Sequence, residues 1–431
     1  YHTDPRRGAG HAAQAKAVAA ALQAKGVNAE AVNFETSFGN SADLEAFNHA
    51  YEEWVNDPSR KKPFPKDKMA TLYRGIDHDR AKEALHEPGV VTLVTNPELP
   101  RVMSRYDKPM YVLHTDVLPW KWLKDESSST HGKINTHIGV PSTAKELKGK
   151  WWKFRNADIR EVPDLPIQPV GGEGVRKAQD YFKGTSKGPH ITMSGGSMGT
   201  GTPAMLEELL SSNKAPVGST IHVVAAGAGT PTVQRLHEIA ATHKDKDVSV
   251  KIHGKVQPTT HGFTLSEMMH GADLNVFLPG GTTTVEAKAT GKPFIFYLPR
   301  GKDAQRHLID NAMVTARQTG MGIGTEHPLT GYQKRHVGTV GDRVEKVFSN
   351  YGEYVKRLAP HVDGAKGGAS AIAGIVARSR VVNQPYRVPT VAKGLALGST
   401  LVAGGSLAHR MMNKDAEDHR VADRDERVDR A

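Results

Sequence analysis

The stretch HITMSGGSMGTGTPAMLEELLSS, His190–Ser212, decides the fold class. An apolar run at Ile191–Met193 ends in a glycine-rich turn containing Gly195, Gly196, Gly199 and Gly201, and an amphipathic pattern begins at Pro203. A short apolar run, then glycines, then apolar residues at helical spacing reads as strand, tight turn, helix. The same unit recurs downstream. Ile221–Ala226, Val248–Ile252, Leu274–Leu278 and Phe294–Leu298 read as buried strands. Thr232–Thr242, Leu265–Gly271, Thr284–Thr290 and Ala304–Thr319 read as the helices between them. Strict alternation predicts a parallel sheet covered by helices on both faces.

Upstream the pattern is less regular but of the same kind. Ala12–Lys25 predicts a helix, and Val90–Val94, Met110–His114 and Ile134–Val140 predict strands. Pro-rich stretches at Pro58–Pro65 and Pro163–Pro169 mark loops, the second where an interdomain linker would fall. The expectation is an α/β protein of two Rossmann-like doubly wound domains facing a cleft. Residues 1–167 form the first, 168–380 the second, and 381–431 a linker and charged tail. Such sheets collect ligands at the carboxyl ends of their strands.

Composition narrows the partners. Among 431 residues there are 57 Lys and Arg against 46 Asp and Glu, a net charge of +11, and no cysteine. The last point excludes a disulfide scaffold, a thiolate-ligated metal and a cysteine nucleophile. No apolar run approaches the ~20 residues of a membrane-spanning helix, and Gly394–Ala408 reads as a linker. His409–Ala431 carries six basic and seven acidic residues, so the positive surplus belongs to the body. A basic body attracts anions. Trp120, Trp122, Trp151 and Trp152, with Lys121 and Lys124 nearby, suit an anionic membrane interface. Nucleic acid is not the expected partner. The chain opens on Tyr1 rather than Met, which suggests a processed chain or one cut from a longer protein.

Three glycine turns stand where phosphate-binding turns should stand. They are Gly8-Ala9-Gly10-His11, SGGSMGTGT at 194–202, and Pro279-Gly280-Gly281-Thr282-Thr283-Thr284. Glycine lets backbone approach a phosphate, and a helix start offers unpaired N–H groups with partial positive charge. None has the P-loop spacing or the G-x-G-x-x-G fingerprint, so neither a nicotinamide nor a flavin is indicated, and no cofactor is expected. Glu286 lies just inside the third helix. The helix dipole alone accounts for a carboxylate there; the sharper role is as acceptor for two ribose hydroxyls. Gln305 and Asn311 are placed for sugar hydroxyls, whereas capping accounts for Asp303. His11 and Asp116 both belong at strand ends facing the cleft, where either could serve as general base. Asp77-His78-Asp79 reads as a helix N-cap, and no metal site is expected.

These residues resemble a family of two-domain GT-B glycosyltransferases. It includes monogalactosyldiacylglycerol synthases, processive diacylglycerol glucosyltransferases and the bacterial N-acetylglucosaminyltransferase that forms lipid II. Gly8-Ala9-Gly10-His11 looks like the family's N-terminal glycine turn, and His114-Thr115-Asp116 like its Thr-Asp segment. SGGSMGTG at 194–201 looks like the glycine loop of the donor domain, and Met268–Asp273 with PGGTTTVEAKATGKPFIF at 279–296 is similar to the donor signature. The resemblance implies a UDP-sugar donor held by Gly195, Gly196, Gly199, Gly280, Gly281, Thr282, Thr283, Glu286, Gln305 and Asn311. It further implies a lipid acceptor, His11 or Asp116 as base, and an inverting, metal-independent displacement. The corresponding location is a membrane periphery, either the bacterial cytoplasmic face or an organelle such as a chloroplast or mitochondrion. The sequence departs from the family's pattern at Ala225–Gly229 and Arg300–Gln305. Those departures motivate a second reading, an inactive GT-B-derived subunit associated with other proteins. A sugar-nucleotide epimerase of the same architecture is a third.

Overall fold

The computed structural model describes residues 10–56, 75–95, 106, 108–118, 136–150, 157–196, 199, 201–225, 230–298, 306–325 and 337–378. Strands β1 (Leu93–Val94), β2 (Tyr111–Leu113), β3 (Thr136–Gly139) and β4 (Asp158–Glu161) form a parallel sheet in the order β1-β2-β3-β4. A second parallel sheet contains β5 (His190–Ser194), β6 (Thr220–Val224), β7 (Ser249–His253), β8 (Leu274–Phe277), β9 (Phe294–Tyr297), β10 (Gly322–Gly324) and β11 (Val337–Gly338). Its order is β11-β10-β9-β8-β5-β6-β7. The chain enters at β5, runs outward to β7, then returns to the other side of β5 with β8. The order therefore reverses between β5 and β8, and the crevice outside their carboxyl ends is a topological switch point.

Helices fill the connections. In the first half they are α1 (Gly10–Gln23), α2 (Phe34–Phe38), α3 (Ser41–Asn56), α4 (His78–His86) and α5 (Pro141–Lys150). In the second half are α6 (Gly172–Lys183), α7 (Thr202–Ser212), α8 (Thr230–Thr242), α9 (Pro258–His261), α10 (Leu265–Gly271), α11 (Gly281–Ala289) and α12 (Arg306–Thr319). Two more follow, α13 (Val340–Ser349) and α14 (Tyr351–Ala377). Local chemistry sets several starts. The Asp77 side chain accepts from Arg80 N at 3.0 Å, the N-cap expected there. Thr264 and Glu267 form a reciprocal capping box on α10. The helix expected from Thr284 begins three residues earlier, because Gly280 acts as its N-cap and Thr284 N already reaches Gly280 O at 2.9 Å.

Every residue of β5 and β6 is buried, as befits central strands covered on both faces. α7 buries Met205, Leu206, Leu209 and Leu210 against that sheet, a stripe at helical spacing. At about 1.5–3 kcal/mol for each fully buried apolar side chain, such stripes supply most of the driving force. α14 serves both halves. Tyr354 and Leu358 pack into the core of the seven-stranded sheet. Farther along, Ile372, Ala373 and Val376 pack with Val18 and Leu22 of α1 and with Tyr111, Leu113 and Ile138 of the four-stranded sheet. Between them Gly368 lets the helix pass close to the linker, where a Cβ would stand 2.5 Å from both the Asp164 and Leu165 carbonyl oxygens. Among the described residues no helix is long and apolar enough to cross a membrane.

A row of histidines crosses one face of the second sheet. His190 pairs in register with Thr220, and His222 with Lys251, so His222 and His253 each lie two residues farther along the next strand. His190 Nδ1 meets His222 Nε2 at 3.1 Å, and His222 Nδ1 meets His253 Nε2 at 3.2 Å. All three rings are buried. Phe182 of α6 stacks on His190 at 4.7 Å, and Tyr181 covers His222 and His253. Burial, then the neighbouring His253 and His190, pulls His222 down to about 3. Burial, then His261 and Lys251, pulls His253 down to about 4. His190 is lowered by burial, against the opposing pull of Asp273.

Candidate functional site

The glycine turns after β5 and β8 flank the switch point. Gly196, Gly199 and Gly201 adopt φ of 73°, 65° and 79°, a left-handed region that side-chain-bearing residues avoid. Nothing lies within 4 Å of a Cβ built on Gly196, so backbone conformation and not crowding demands glycine there. Gly195 and Gly199 are buried. The Ser194 hydroxyl accepts from Gly196 N at 3.2 Å, and Thr202 Oγ1 donates to Gly199 O at 2.7 Å, so the turn is held from both ends.

After β8 the chain turns at Pro279 and Gly280 into α11. Its first residues, Gly281, Thr282 and Thr283, carry N–H groups that precede the helix's own acceptors. The end of β2 lies directly against this helix start. A Cβ on Gly281 would run into the Thr115 carbonyl and stand 3.1 Å from Asp116 Oδ1, so only glycine permits the approach. The start of α1 joins them. Thr282 Oγ1 donates to Gly10 O at 3.2 Å, and Gln14 Nε2 donates to both Thr282 Oγ1 and Thr115 O at 3.2 Å. His11, half-buried in the first turn of α1, accepts at its carbonyl from Thr95 Oγ1 at 3.0 Å, which ties α1 to the end of β1.

Asp116 is buried and held from two helices. Asn311 of α12 donates through Nδ2 to Asp116 Oδ1 at 2.7 Å and to Pro279 O at 2.9 Å, while its Oδ1 accepts from Val117 N at 3.1 Å. Thr143 Oγ1, at the start of α5, donates to Asp116 O at 3.2 Å. The Asn311 amide thus spans both halves. Also on α12, His307 is lowered by burial and raised by the carboxylates of Asp116 and Asp310.

Glu286 sits in the second turn of α11, half-buried, and desolvation pushes its carboxyl up to about 7. Near neutral pH it can either accept or donate a hydrogen bond. Lys288, on the opposite side of the same turn, forms a buried ion pair with Asp164 of the linker. At the end of β2, His114 Nε2 faces His137 Nδ1 at 3.2 Å, and burial, then His137, holds His114 well below its ordinary value.

The fold therefore gathers Gly280, Gly281, Thr282, Thr283, Asp116, Asn311 and the His11 turn at one junction, with Gly195, Gly196 and Gly199 on the neighbouring strand end. Gln305, Asp303, Gly8 and the four tryptophans read from the sequence lie outside the described residues. Gln14 and His307 join the junction without having been anticipated. Gln14 had a signal, since it follows Gly10 by one helical turn in an otherwise alanine-rich run. Among the described residues no cluster of three or more His, Asp or Glu could hold a metal ion. Two helix starts, glycine backbone and a carboxylate from the opposite half form an arrangement suited to a diphosphate and a reacting hydroxyl.

No family model matches the sequence, and no curated protein matches it. Solved structures do match in shape. Os79 from O. sativa in complex with UDP aligns with a TM-score of 0.51 at 13% identity, covering 86% of this chain and 97% of that one. Arabidopsis thaliana UGT89C1 complexed with UDP-L-rhamnose aligns with a TM-score of 0.50 at 11% identity, covering 86% and 96%. With two parallel α/β sheets and these neighbours, the chain has the GT-B fold of glycosyltransferases.

Proposed function

We propose that the protein transfers a sugar from a UDP-sugar to an acceptor hydroxyl. The observation that carries this reading is the switch point, where two glycine turns meet and the second is faced by Asp116 from the other sheet. The diphosphate would rest on the N–H groups of Gly281, Thr282 and Thr283 and on the 194–202 turn, with Glu286 accepting from the ribose. Those N–H groups would stabilise the leaving diphosphate in the role a metal fills elsewhere. His11 or Asp116 would take the acceptor's proton as its oxygen attacks the anomeric carbon from the opposite face, giving inversion. The donor class follows from the motif at Pro279–Phe296 and accords with the UDP and UDP-L-rhamnose held by the two plant proteins. The motif resemblance and the net charge of +11 favour a diacylglycerol-like lipid at an anionic membrane surface as acceptor.

A second reading, an inactive structural subunit, draws on the same junction, because the Thr115 carbonyl and the Asn311 amide already occupy the approach to α11. Calorimetry with UDP, followed by transfer assays with labelled UDP-hexoses on diacylglycerol vesicles, separates the two. Binding and transfer support the enzyme. Failure of both, in folded protein, leaves the structural subunit.

A further inference from the structure

We infer that Gln14 and Thr115 together form a recognition point for a sugar hydroxyl beside the start of α11. The inference rests on the sugar-transfer reading above. Gln14, Val18 and Leu22 are spaced by four along α1 and share one face. Val18 and Leu22 pack with Tyr111 and Leu113 of β2. Thr115 follows Leu113 by two, so Gln14 meets Thr115 where the apolar stripe would otherwise continue. Their contact is direct, with Gln14 Nε2 donating to Thr115 O at 3.2 Å. A carbonyl can only accept, so this bond fixes which end of the amide is nitrogen. The same nitrogen donates to Thr282 Oγ1 at 3.2 Å, and Thr282 in turn donates to Gly10 O. The nitrogen end is thereby used in joining the halves. Two atoms are left over. Gln14 Oε1 and the Thr115 hydroxyl are both buried, and neither has a hydrogen-bond partner. The residues that carry them are 1% and 4% exposed.

An apolar side chain at either position would fill this place with no orphaned atom, and a polar atom buried unpaired is costly. The two atoms complement each other chemically. Gln14 Oε1 can only accept, whereas the Thr115 hydroxyl can donate. A ligand hydroxyl satisfies both, giving its proton to Oε1 and taking one from Thr115 Oγ1. A phosphate oxygen can only accept, so it would pair with Thr115 and be repelled by the amide oxygen. The pair therefore selects hydroxyl over phosphate, directly beside the helix start that carries the diphosphate in the reading above. Gln14 bonds Thr282 of the other half, so both atoms open to a ligand when that contact parts. The hydroxyl belongs either to the transferred hexose or to the acceptor, since both approach this point.

Thr115→Val in the full chain makes the test, because it removes the hydroxyl and keeps the carbonyl that Gln14 bonds. Calorimetry with UDP and with UDP-hexoses, initial-rate kinetics and urea unfolding would be compared with the wild type. If the hydroxyl belongs to the hexose, the variant should bind UDP-hexose about tenfold more weakly and UDP equally well. A UDP-deoxyhexose that lacks the recognised group should then bind both proteins alike. If it belongs to the acceptor, KM for the acceptor should rise about tenfold with UDP and UDP-hexose affinities unchanged. In both cases resistance to urea should match or exceed the wild type's, because an orphaned hydroxyl has gone. Gln14→Met, which removes the amide oxygen, should show the same selective loss and serves should the first variant fold poorly. Unchanged recognition of hexose and acceptor overturns the inference and leaves the two atoms to a structural water. Equal losses of UDP and UDP-hexose affinity overturn it as well. Should the wild type bind neither UDP nor UDP-hexose, the sugar-transfer reading fails and takes the inference with it; UDP binding with an unaltered Thr115→Val overturns the inference alone.

Discussion

Acidification should unfold this protein through its histidine row, and by an amount that can be worked out. In the fold His222 titrates at about 3 and His253 at about 4, against 6.5 for an exposed ring. Folded values below unfolded ones mean that the unfolded chain binds the extra protons. The stabilisation is therefore fully present above about pH 7 and is lost as the pH falls through 6.5 toward the folded values. At 1.36 kcal/mol per unit, each ring would have lost about 2 kcal/mol of stabilisation by pH 5, or about 4 kcal/mol together. That is a large part of the 5–15 kcal/mol typical of a folded domain. Carboxylates also titrate in this range, so the comparison must be with a variant. Urea unfolding followed by circular dichroism at pH 7.5 and pH 5 would be run on the wild type and on His222→Asn. The variant should be weaker at pH 7.5 by about 1–3 kcal/mol, because His190 and His253 lose their bonds. Its further loss on going to pH 5 should be smaller than the wild type's by about 2 kcal/mol. Equal losses in the two proteins would refute the reasoning.

Three further outcomes are expected. Gly281→Ala drives a methyl into the Thr115 carbonyl, so the halves should part there; faster hydrogen exchange around Thr282 and Gln14 with an intact far-ultraviolet spectrum would show it, and unchanged exchange would contradict the close approach. Glu286→Gln should weaken UDP binding at pH 8 by about tenfold, or 1.4 kcal/mol, and wild-type binding should strengthen between pH 6 and pH 8 as the carboxyl ionises through about 7; calorimetry at both pH values reads the two effects. Lys288→Met leaves Asp164 charged and buried, and should cost about 3–5 kcal/mol in urea unfolding, whereas the double change with Asp164→Leu should recover most of that loss.

The central strands were legible because burial on both faces leaves an unbroken apolar run. Ile191–Met193, Ile221–Ala226, Leu274–Leu278 and Phe294–Leu298 each coincide with a strand to within two residues, and Val248–Ile252 coincides with β7, which is a partly exposed edge strand and not the buried one expected. β10 escaped notice for the converse reason. Gly322-Ile323-Gly324 has almost no strand propensity and exists through its pairing with β9. The early start of α11 was hidden in a Gly-Thr run of poor helix formers, which packing and the Gly280 cap overrule. At the site, strand-to-helix turns announced themselves through glycine. What could not be read was who faces whom. Asn311 and Asp116 are 195 residues apart, and the histidine row is spaced by 32 and then 31 residues. Only sheet register and the packing of one half on the other turn such separations into contacts.

The reach of α14 carries a consequence for synthesis. The four-stranded half is the first to leave the ribosome, yet Ile372, Ala373 and Val376, near the end of the described chain, supply part of its core. The half made first is therefore sealed last. While more than two hundred residues are still to come, Val18, Leu22, Leu113 and Ile138 lack their final covering, and the nascent chain carries a sticky, half-built sheet of the sort that invites misassembly and chaperones. A gene split at the linker would then yield two fragments of unequal fate: the later one with its own sheet complete, the earlier one soluble only when the other is made beside it.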